Sequence, residues 1–295
     1  MKALWYAKWL VKAVTPPILL LGVKWIAIGL GLRKREHGQA PAGDPSMQEE
    51  PEWEYVPDGW QREAKGWNVD AVAHAYRDKW PAYLAAIKAP SPLGVHHETA
   101  EVARDDAGAH NMLVSFAYVL ALASRRRDGL SVLDWGGGLG QYFALARSVV
   151  PGLELEYHVR ETPAVVAQGR EVVPDVIFHE GVDCFDRSYD LVVASSSLQY
   201  EQDWQSLLEQ LAGAADRYLY TARVPVALRA GSFVVLQRAH AYGYDTEYLG
   251  WVLNRDELLE AAGLPLAREF LLDARFSADG APENPVEHRS FLFNR

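Results

Sequence analysis

An acidic residue and three alternating glycines follow one another in residues 130–140, which read LSVLDWGGGLG. The pattern predicts a buried strand that breaks into a glycine turn and opens a helix over residues 141–150. Gly136, Gly138 and Gly140 permit unusual backbone angles and close approach of a ligand, while the helix directs its positive N-terminus to the same place. Asp134 precedes the turn, and Glu161 ends the next predicted strand, about 20 residues further on. The arrangement predicts a site for a nucleotide-like ligand with two carboxylates beside it.

The spacing of the glycines bears on which nucleotide could bind. In the dinucleotide fingerprint a third glycine, or an alanine, falls three positions after the second, because a diphosphate lies on the helix end. Here that position is Gln141. This departure weakens the case for NAD(P), which stays open together with the alternative that the turn only packs a helix on a strand.

Length and charge bound the class of protein. At 295 residues, of which 49% are hydrophobic, the chain is long enough for one large α/β domain with additions. The net charge is −10, but residues 1–35 carry seven basic and no acidic side chains, which leaves −17 for the rest. An acidic body argues against binding to nucleic acid. The single cysteine, Cys184, cannot form an internal disulfide, which fits a reducing compartment.

Residues 1–36 are predicted to associate with a membrane surface. Apolar and basic side chains take opposite sides of a helical wheel of residues 2–14, and residues 18–32 form an apolar stretch that Lys24 interrupts. A spanning helix needs about twenty apolar residues without a central charge. We therefore expect peripheral association with anionic lipids at the cytoplasmic face, with a cleaved secretory signal and a plain packing helix as alternatives. Residues 37–52 are predicted to be a linker.

Residues 53–127 are predicted to form a helical cap, and residues 128–295 an α/β domain. Apolar residues recur at helical spacing over 69–86, and residues 111–124 are almost wholly apolar. From residue 128 strands and helices alternate, as a doubly wound sheet requires. Strands are predicted at 130–135, 153–159, 176–179, 189–194, 217–223, 266–274 and 288–293. An insertion at 224–253, with short strands at 233–238 and 248–253, is of the type that can cover an active site.

The phrases VLDWGGGLGQYF, YDLVVASSSLQY and HRSFLFNR resemble class I S-adenosylmethionine-dependent methyltransferases, and more narrowly a family of bacterial methyltransferases associated with surface-polysaccharide biosynthesis. The resemblance covers residues 53–295. It implies a Rossmann-like sheet of seven strands whose last strand is antiparallel, and S-adenosylmethionine as the cofactor. It also implies that Asp134 suits the cationic methionyl group and that Glu161 accepts hydrogen bonds from the ribose hydroxyls. Related sequences read D-x-P where this chain has Glu161-Thr162-Pro163.

Further cofactor contacts are predicted at the carboxyl ends of the strands, where ligands bind in open α/β sheets. Asp183 follows the third strand of the predicted sheet and is a candidate acceptor for the adenine amino group. Ser195 and Ser196 follow the fourth strand and are candidates for contact with the methionyl end. A solvated loop acid, and serines that only cap a turn, are the alternative interpretations.

The catalytic residues must lie beside the methyl acceptor. Methyl transfer is an in-line displacement, so the enzyme mainly aligns the acceptor and removes at most one proton. His240 in the insertion is the favoured general base because its ordinary pKa is nearest to neutrality, and a packing histidine is the alternative. Tyr200 and Arg223 are further catalytic candidates. Gln199, Tyr242, Tyr244 and Asp245 are candidate acceptor contacts.

We expect no metal site. His96, His97 and Glu98, with Asp106 and His110 further on, could ligate a divalent ion, but no cysteine or HExxH pattern supports them. An aspartate at this position near a helix start is an ordinary cap.

The sequence therefore predicts a cytoplasmic, membrane-surface methyltransferase. It would transfer a methyl group to oxygen of a glycan or lipid-linked glycan precursor, with nitrogen as the less favoured alternative. Two alternatives stay open: an NAD(P)-dependent sugar-modifying enzyme, disfavoured by the absence of a Tyr-x-x-x-Lys pair, and an inactive methyltransferase-like membrane scaffold.

Overall fold

The computed structural model describes residues 51–90 and 106–295. The predicted membrane segment 1–36, the linker up to residue 50, and the potential metal ligands His96, His97 and Glu98 lie outside the described residues. Expectations about these segments remain predictions.

Ten strands and six α-helices form the described body. The strands are β1 Trp53–Val56, β2 Gly129–Trp135, β3 Glu154–Arg160, β4 Ile177–His179, β5 Tyr189–Ser195, β6 Ala215–Ala227, β7 Phe233–Arg238, β8 Glu247–Asn254, β9 Leu266–Phe276 and β10 Val286–Asn294. The helices are α1 Asp70–Lys88, α2 Ala107–Ser124, α3 Gln141–Val149, α4 Pro163–Val172, α5 Trp204–Ala214 and α6 Arg255–Ala262.

Seven strands form a Rossmann-like sheet in the order β4-β3-β2-β5-β6-β10-β9. β2 to β6 run parallel to one another, whereas β10 lies antiparallel between β6 and β9. This is the class I methyltransferase arrangement, and both the fold class and the antiparallel last strand are confirmed. Parallel strands joined by helices place their carboxyl ends at one edge of the sheet, which is where the candidate residues gather.

Helices bury both faces of the sheet. Val132 of β2 belongs to the core on the α1–α4 side, together with Phe116 of α2, whereas Leu133 packs on the α5–α6 side with Trp204. A strand buried on both faces has a nearly continuous apolar sequence, which explains why β2 was recognisable from its residues. α2 is the one helix in the described part of the chain whose length and hydropathy could suit a membrane span. Its Phe116, Val119 and Leu120 are fully buried in this core.

The predicted helical cap is corrected at its start, because Trp53–Val56 forms strand β1 rather than a helix. β1 pairs antiparallel with β7, with Trp53 opposite Gln237 and Val56 opposite Val234. Trp53 and Tyr55 pack into one apolar cluster and Val56 into another, as alternation along a strand requires. Four residues are too few for this alternation to be distinguished from a helical pattern in the sequence.

The predicted insertion 224–253 extends the sheet. β7 and β8 form an antiparallel pair, β1 adds to β7, and β8 joins the last residues of β6 in parallel at Val226 and Ala227. The two predicted strands are therefore confirmed. Residues 51 and 52, predicted as the end of the linker, are instead fixed to this extension: Arg238 donates its backbone N–H to Glu52 O (2.8 Å) and a guanidinium N–H to Pro51 O (2.9 Å).

Candidate functional site

The glycine turn joins β2 to α3 in the conformation that the sequence predicts. Gly136, Gly138 and Gly140 have φ angles of 68°, 58° and 87°, which other residues seldom adopt. The Gly136 N–H donates to Arg160 O (2.9 Å), so the turn is anchored to the end of β3. The free N–H groups at the start of α3 give this end of the sheet a positive potential.

Gly137, which the sequence analysis did not single out, is required for a different reason. A Cβ atom at this position would lie 2.5 Å from Asp134 Cγ, too close for any side chain without displacing that carboxylate. The glycine that matters for Asp134 is therefore not one of the alternating three. In the sequence Gly137 is one more glycine between Gly136 and Gly138, and its spacing does not distinguish it from them.

Asp134 is a fully buried carboxylate at the end of β2. Oδ2 accepts a hydrogen bond from the Tyr157 hydroxyl (2.9 Å), while Oδ1 has no partner among the described residues. Burial raises the pKa of Asp134 to about 7; the Tyr157 hydrogen bond opposes this rise, and the nearby Glu161 charge adds to it. A buried carboxyl oxygen without a partner is suited to a cationic or hydrogen-bond-donating ligand.

Glu161 closes the other side of the turn. Its Oε1 accepts the Gly138 N–H (3.1 Å) and its Oε2 accepts the Thr162 N–H (2.7 Å). Burial raises the pKa of Glu161, although both backbone hydrogen bonds oppose the rise. Two buried carboxylates thus flank the glycine turn, as predicted.

Three cavities surround these residues. The Glu161 cavity has a volume of about 680 Å³, the Asp134 cavity about 30 Å³ and the Arg223 cavity about 600 Å³. The first two share Gly136, the first and third share Ser196 and Tyr200, and the second and third share Met112. A ligand on the glycine turn would therefore adjoin a second ligand in the Arg223 cavity.

Ser195 and Ser196 lie at the end of β5, beside the turn. The Ser195 hydroxyl shares a hydrogen bond with the Tyr142 hydroxyl (2.9 Å) and lines the Asp134 cavity. Ser196 has a φ of 52°, and its hydroxyl accepts from Gln199 Nε2 (3.2 Å). The Oε1 atom of Gln199 is buried and has no partner among the described residues, but Gln199 does not line any of the three cavities.

Arg223 occupies an irregular position in β6. Its φ is 54°, and the register of β6 with β10 shifts opposite this residue, between Arg289 and Phe291. Such bulges redirect a side chain, and left-handed non-glycine residues concentrate at functional sites. The Arg223 side chain lines the cavity named after it. The distortion could not be recognised in the sequence because it depends on the pairing with β10.

Tyr200 lies at the boundary between the Glu161 and Arg223 cavities. Its hydroxyl donates to Gln237 Oε1 (3.0 Å), and its ring contacts those of Trp67 and Tyr248, with centroids 5.1 and 4.9 Å away. Because it lines both cavities, Tyr200 is placed where the two ligands would meet.

Other predicted residues lie apart from the cavities. Asp183 is exposed, and its carboxylate accepts from His179 Nδ1 (2.7 Å), which lowers the pKa of Asp183. His240 is exposed on the surface after β7, and Asp245 is exposed near Lys65. Tyr244 is buried under the Lys79 ammonium group at 4.8 Å. The roles predicted for these residues stay predictions.

Tyr242 is the one predicted residue of the 239–247 loop that lines the Arg223 cavity. Its hydroxyl donates to Glu52 Oε1 (2.8 Å), and its carbonyl oxygen accepts from Lys79 Nζ (2.6 Å). These contacts connect the start of the described chain, the loop and α1 around that cavity.

Residues 57–69 form a loop over the Glu161 cavity that the sequence analysis did not predict. Trp67 stacks on Tyr248 with centroids 4.1 Å apart, and Trp60 stacks on Trp251 at 5.6 Å. Gly66 donates to Glu247 O (2.9 Å), so the loop is fixed to β8. The two tryptophans of DGWQREAKGWN were the available signal.

Two buried polar atoms around the Glu161 cavity have no partner among the described residues. They are Trp67 Nε1 and Arg160 Nε, each in a residue that lines the cavity. Buried polar groups are nearly always hydrogen-bonded, so their concentration here fits a polar ligand.

In residues 51–90 and 106–295, no group of three or more potential metal ligands comes together. Asp106 instead caps α2, since its carboxylate accepts the Ala109 N–H (2.9 Å).

No family model and no curated protein matches the sequence. Solved structures with a similar chain course include magnesium protoporphyrin IX methyltransferase (ChlM) from Synechocystis PCC 6803 with bound SAM, at 19% identity over 74% of this chain and 90% of that chain, with a TM-score of 0.42. An O-methyltransferase family protein from Burkholderia thailandensis gives 16% identity over 77% and 71%, with a TM-score of 0.39. CalS10, an amino pentose methyltransferase from Micromonospora echinaspora involved in calicheamicin biosynthesis, gives 16% identity over 63% and 91%, with a TM-score of 0.40. These low values carry no conclusion about function, and the fold class rests on the strand order.

Proposed function

We propose that this protein is an S-adenosylmethionine-dependent methyltransferase. The observation that carries the proposal is the buried Asp134 carboxylate beside the glycine turn, with Oδ1 lacking a partner among the described residues. A buried carboxylate without a cation is unfavourable, and the α-ammonium group of the cofactor would supply one. The residues present therefore fit this cofactor.

The cofactor would occupy the Glu161 cavity and extend past Gly136, which both cavities share, into the Asp134 cavity, which would have to widen from about 30 Å³ to admit it. Asp134 would hold the methionyl end, and Glu161 would accept from the ribose hydroxyls in exchange for its backbone contacts. When bound, S-adenosylmethionine supplies an electrophilic methyl group. Ser196 and Tyr200, which line both the Glu161 and the Arg223 cavities, would align the acceptor with that group and exclude water.

The structure also bears on the NAD(P) alternative. Gln141 occupies the position of the third glycine in the dinucleotide fingerprint, and it is only 9% exposed. Its side-chain oxygen lies 2.5 Å from where a Cβ of Gly138 would be, so the amide fills the space in front of the turn. A diphosphate on the turn would have to displace this buried amide, which weighs against NAD(P) as the ligand.

Calorimetry of the full chain tests the cofactor assignment. We expect S-adenosylmethionine and S-adenosylhomocysteine to bind, and Glu161→Ala to weaken both by about 10- to 100-fold through the lost ribose hydrogen bonds. Glu154→Ala, at an exposed position in the same strand, is the matched control and should bind normally. Binding of NAD(P) in their place would support the oxidoreductase alternative, and binding of neither ligand would support the scaffold.

The acceptor that we propose is a hydroxyl group of a glycan or of a lipid-linked glycan precursor. The Arg223 cavity adjoins the cofactor cavities and combines polar side chains with the aromatic rings of Trp53, Tyr242 and Phe276. Sugar rings pair a hydroxyl-bearing edge with an apolar face, and such a lining suits both. The resemblance in sequence to methyltransferases of surface-polysaccharide biosynthesis supports the same class.

We further propose that residues 1–36 keep the enzyme at the cytoplasmic face of the membrane. The support is the basic and apolar sequence of this segment, which would bury apolar side chains in the interface and attract anionic lipids.

Vesicle sedimentation tests the membrane proposal. A chain lacking residues 1–36 should stay in the supernatant of anionic phosphatidylglycerol vesicles that sediment the full chain, and should bind S-adenosylhomocysteine with unchanged affinity. Equal sedimentation of both chains would contradict the proposal, and neutral phosphatidylcholine vesicles provide the control for charge.

A further inference from the structure

His288 lines the Arg223 cavity, and no role has been assigned to it so far. His288 lies in β10 opposite Pro225 of β6, two residues from the bulge that redirects Arg223. Of the described histidines, His74, His110, His158, His179 and His240 line none of the Glu161, Asp134 and Arg223 cavities, whereas His288 lines the last of these. The sheet therefore brings one imidazole into the lining of the cavity that adjoins the proposed cofactor site.

The wall beside His288 is aromatic. Trp53 of β1 stacks on Phe276 of β9 with ring centroids 4.0 Å apart and an interplanar angle of 20°. The Phe276 ring also contacts the His288 ring, with centroids 5.5 Å apart. These contacts limit the movement of the imidazole and present an apolar surface next to it. A ring-shaped acceptor lying on this surface would place its edge beside His288.

Six other titratable side chains line the cavity. They are Glu52 just before β1, Asp106 just before α2, Tyr200, Arg223 in β6, Tyr242 and Arg275 in β9. Glu52 accepts the Tyr242 hydroxyl, Asp106 caps α2, and Arg275 pairs with Glu287 at 3.0 Å. Imidazole is the group in this set whose ordinary pKa permits exchange of a proton near neutral pH.

We infer that the Arg223 cavity holds a pyranose ring of the acceptor against the Trp53–Phe276 wall, and that His288 takes the proton from its reacting hydroxyl. This inference rests on the proposed methyltransferase function and assigns to His288 the role that the sequence alone favoured for His240. The acceptor oxygen forms a bond to the methyl carbon as the carbon–sulfur bond breaks, and that electron pair stays on sulfur. The hydroxyl proton moves to the imidazole, so sulfonium and alcohol become thioether, ether and imidazolium.

Binding of defined sugars tests the site first. The probes are methyl α-D-glucopyranoside, methyl α-L-rhamnopyranoside and methyl α-D-glucopyranosiduronate, added to the full chain saturated with S-adenosylhomocysteine. We expect saturation-transfer NMR to detect at least one of them, and its addition to shift imidazole resonances that are absent from His288→Gln. No binding by any probe, or binding that leaves those resonances unmoved, would overturn the inference.

Turnover of the bound probe then tests the role of the imidazole. With S-adenosyl[methyl-³H]methionine we expect His288→Gln to lower kcat by about 10²- to 10⁴-fold. We also expect the wild-type kcat to decrease at acidic pH, where the imidazole is protonated, and this decrease to be absent from His288→Gln. His74→Gln, exposed on α1, is the matched control and should keep the wild-type profile. A full rate in His288→Gln, loss of the acid limb in His240→Gln instead, or no methylation of a bound probe would refute the role of His288.

Affinity for S-adenosylhomocysteine separates this inference from the proposed function. We expect His288→Gln to bind S-adenosylhomocysteine with the wild-type affinity, and this result would also show that the variant is folded. Wild-type protein that fails to bind S-adenosylhomocysteine would refute the methyltransferase itself. Normal binding, with turnover insensitive to position 288, would refute the inference alone.

Discussion

Asp134→Asn is expected to weaken S-adenosylmethionine binding by about 100-fold or more, the largest loss that we expect from a single conservative change. Removal of one member of a buried charge pair costs about 2–5 kcal/mol, because the other charge is left without its partner. The asparagine amide has nearly the same shape and can still accept the Tyr157 hydroxyl, so the packing around β2 is retained. Calorimetry provides the measurement, and wild-type affinity in this variant would contradict the role of the carboxylate.

The same carboxylate makes binding depend on pH. In the free protein burial raises the pKa of Asp134 to about 7, whereas a bound cation would lower it. Affinity should therefore increase about tenfold per pH unit up to about pH 7, level off above it, and be accompanied by proton release. Titrations in two buffers with different ionisation enthalpies measure that release, which Asp134→Asn should abolish.

Stability of the free protein should move in the opposite direction. The pKa of Asp134 is higher in the folded than in the unfolded chain, so its contribution to stability is complete at low pH and is lost as the pH rises through about 7. Without ligand, Asp134→Asn is therefore expected to be more stable than the wild type at about pH 8. A higher free energy of unfolding in Asp134→Asn would show that its weaker binding of the cofactor does not come from a loss of folding.

Trp204→Ala is expected to lower the free energy of unfolding by about 3–5 kcal/mol, the usual cost of deleting a fully buried large aromatic side chain. Trp204 begins α5, is 1% exposed and belongs to the core on the α5–α6 face of the sheet. Urea denaturation followed by far-UV circular dichroism measures the loss.

Trp251→Ala is the matched comparison for that experiment. This half-buried ring contacts Trp60 in the loop over the Glu161 cavity, so its removal should cost less than half as much. Equal losses in the two variants would contradict the expectation that the cost depends on how fully the ring is buried.

The local parts of the site could be predicted from sequence. The strand, the glycine turn and the start of α3 are encoded within residues 130–141, and Glu161 follows at a fixed distance along the chain. The positive φ angles at Gly136, Gly138 and Gly140 confirm the predicted turn. Such features depend on neighbours in the chain, which is why one sequence suffices to find them.

The remaining parts of the site depend on long-range pairing. His288 and Arg223 approach the same cavity only because β10 inserts between β6 and β9, and β1 reaches it by pairing with β7. His240 was favoured from its ordinary pKa and its place in the insertion, yet the turn after β7 directs it to the surface. Side-chain chemistry identified plausible residues, but strand register decides which of them face a cavity.

β6 has a consequence for how ligands are exchanged. Its thirteen residues run from the pairing with β5 and β10 to the pairing with β8, so one strand belongs both to the main sheet and to its extension. A hinge motion between the two parts would therefore have to bend β6. Residues 57–69 lie over the Glu161 cavity outside β6, so they are the part that could open it while β6 stays in place. Their release would separate Gly66 from Glu247 and Thr246, and would break the ring contacts of Trp67 and Trp60 and the ion pairs of Arg62 and Lys65.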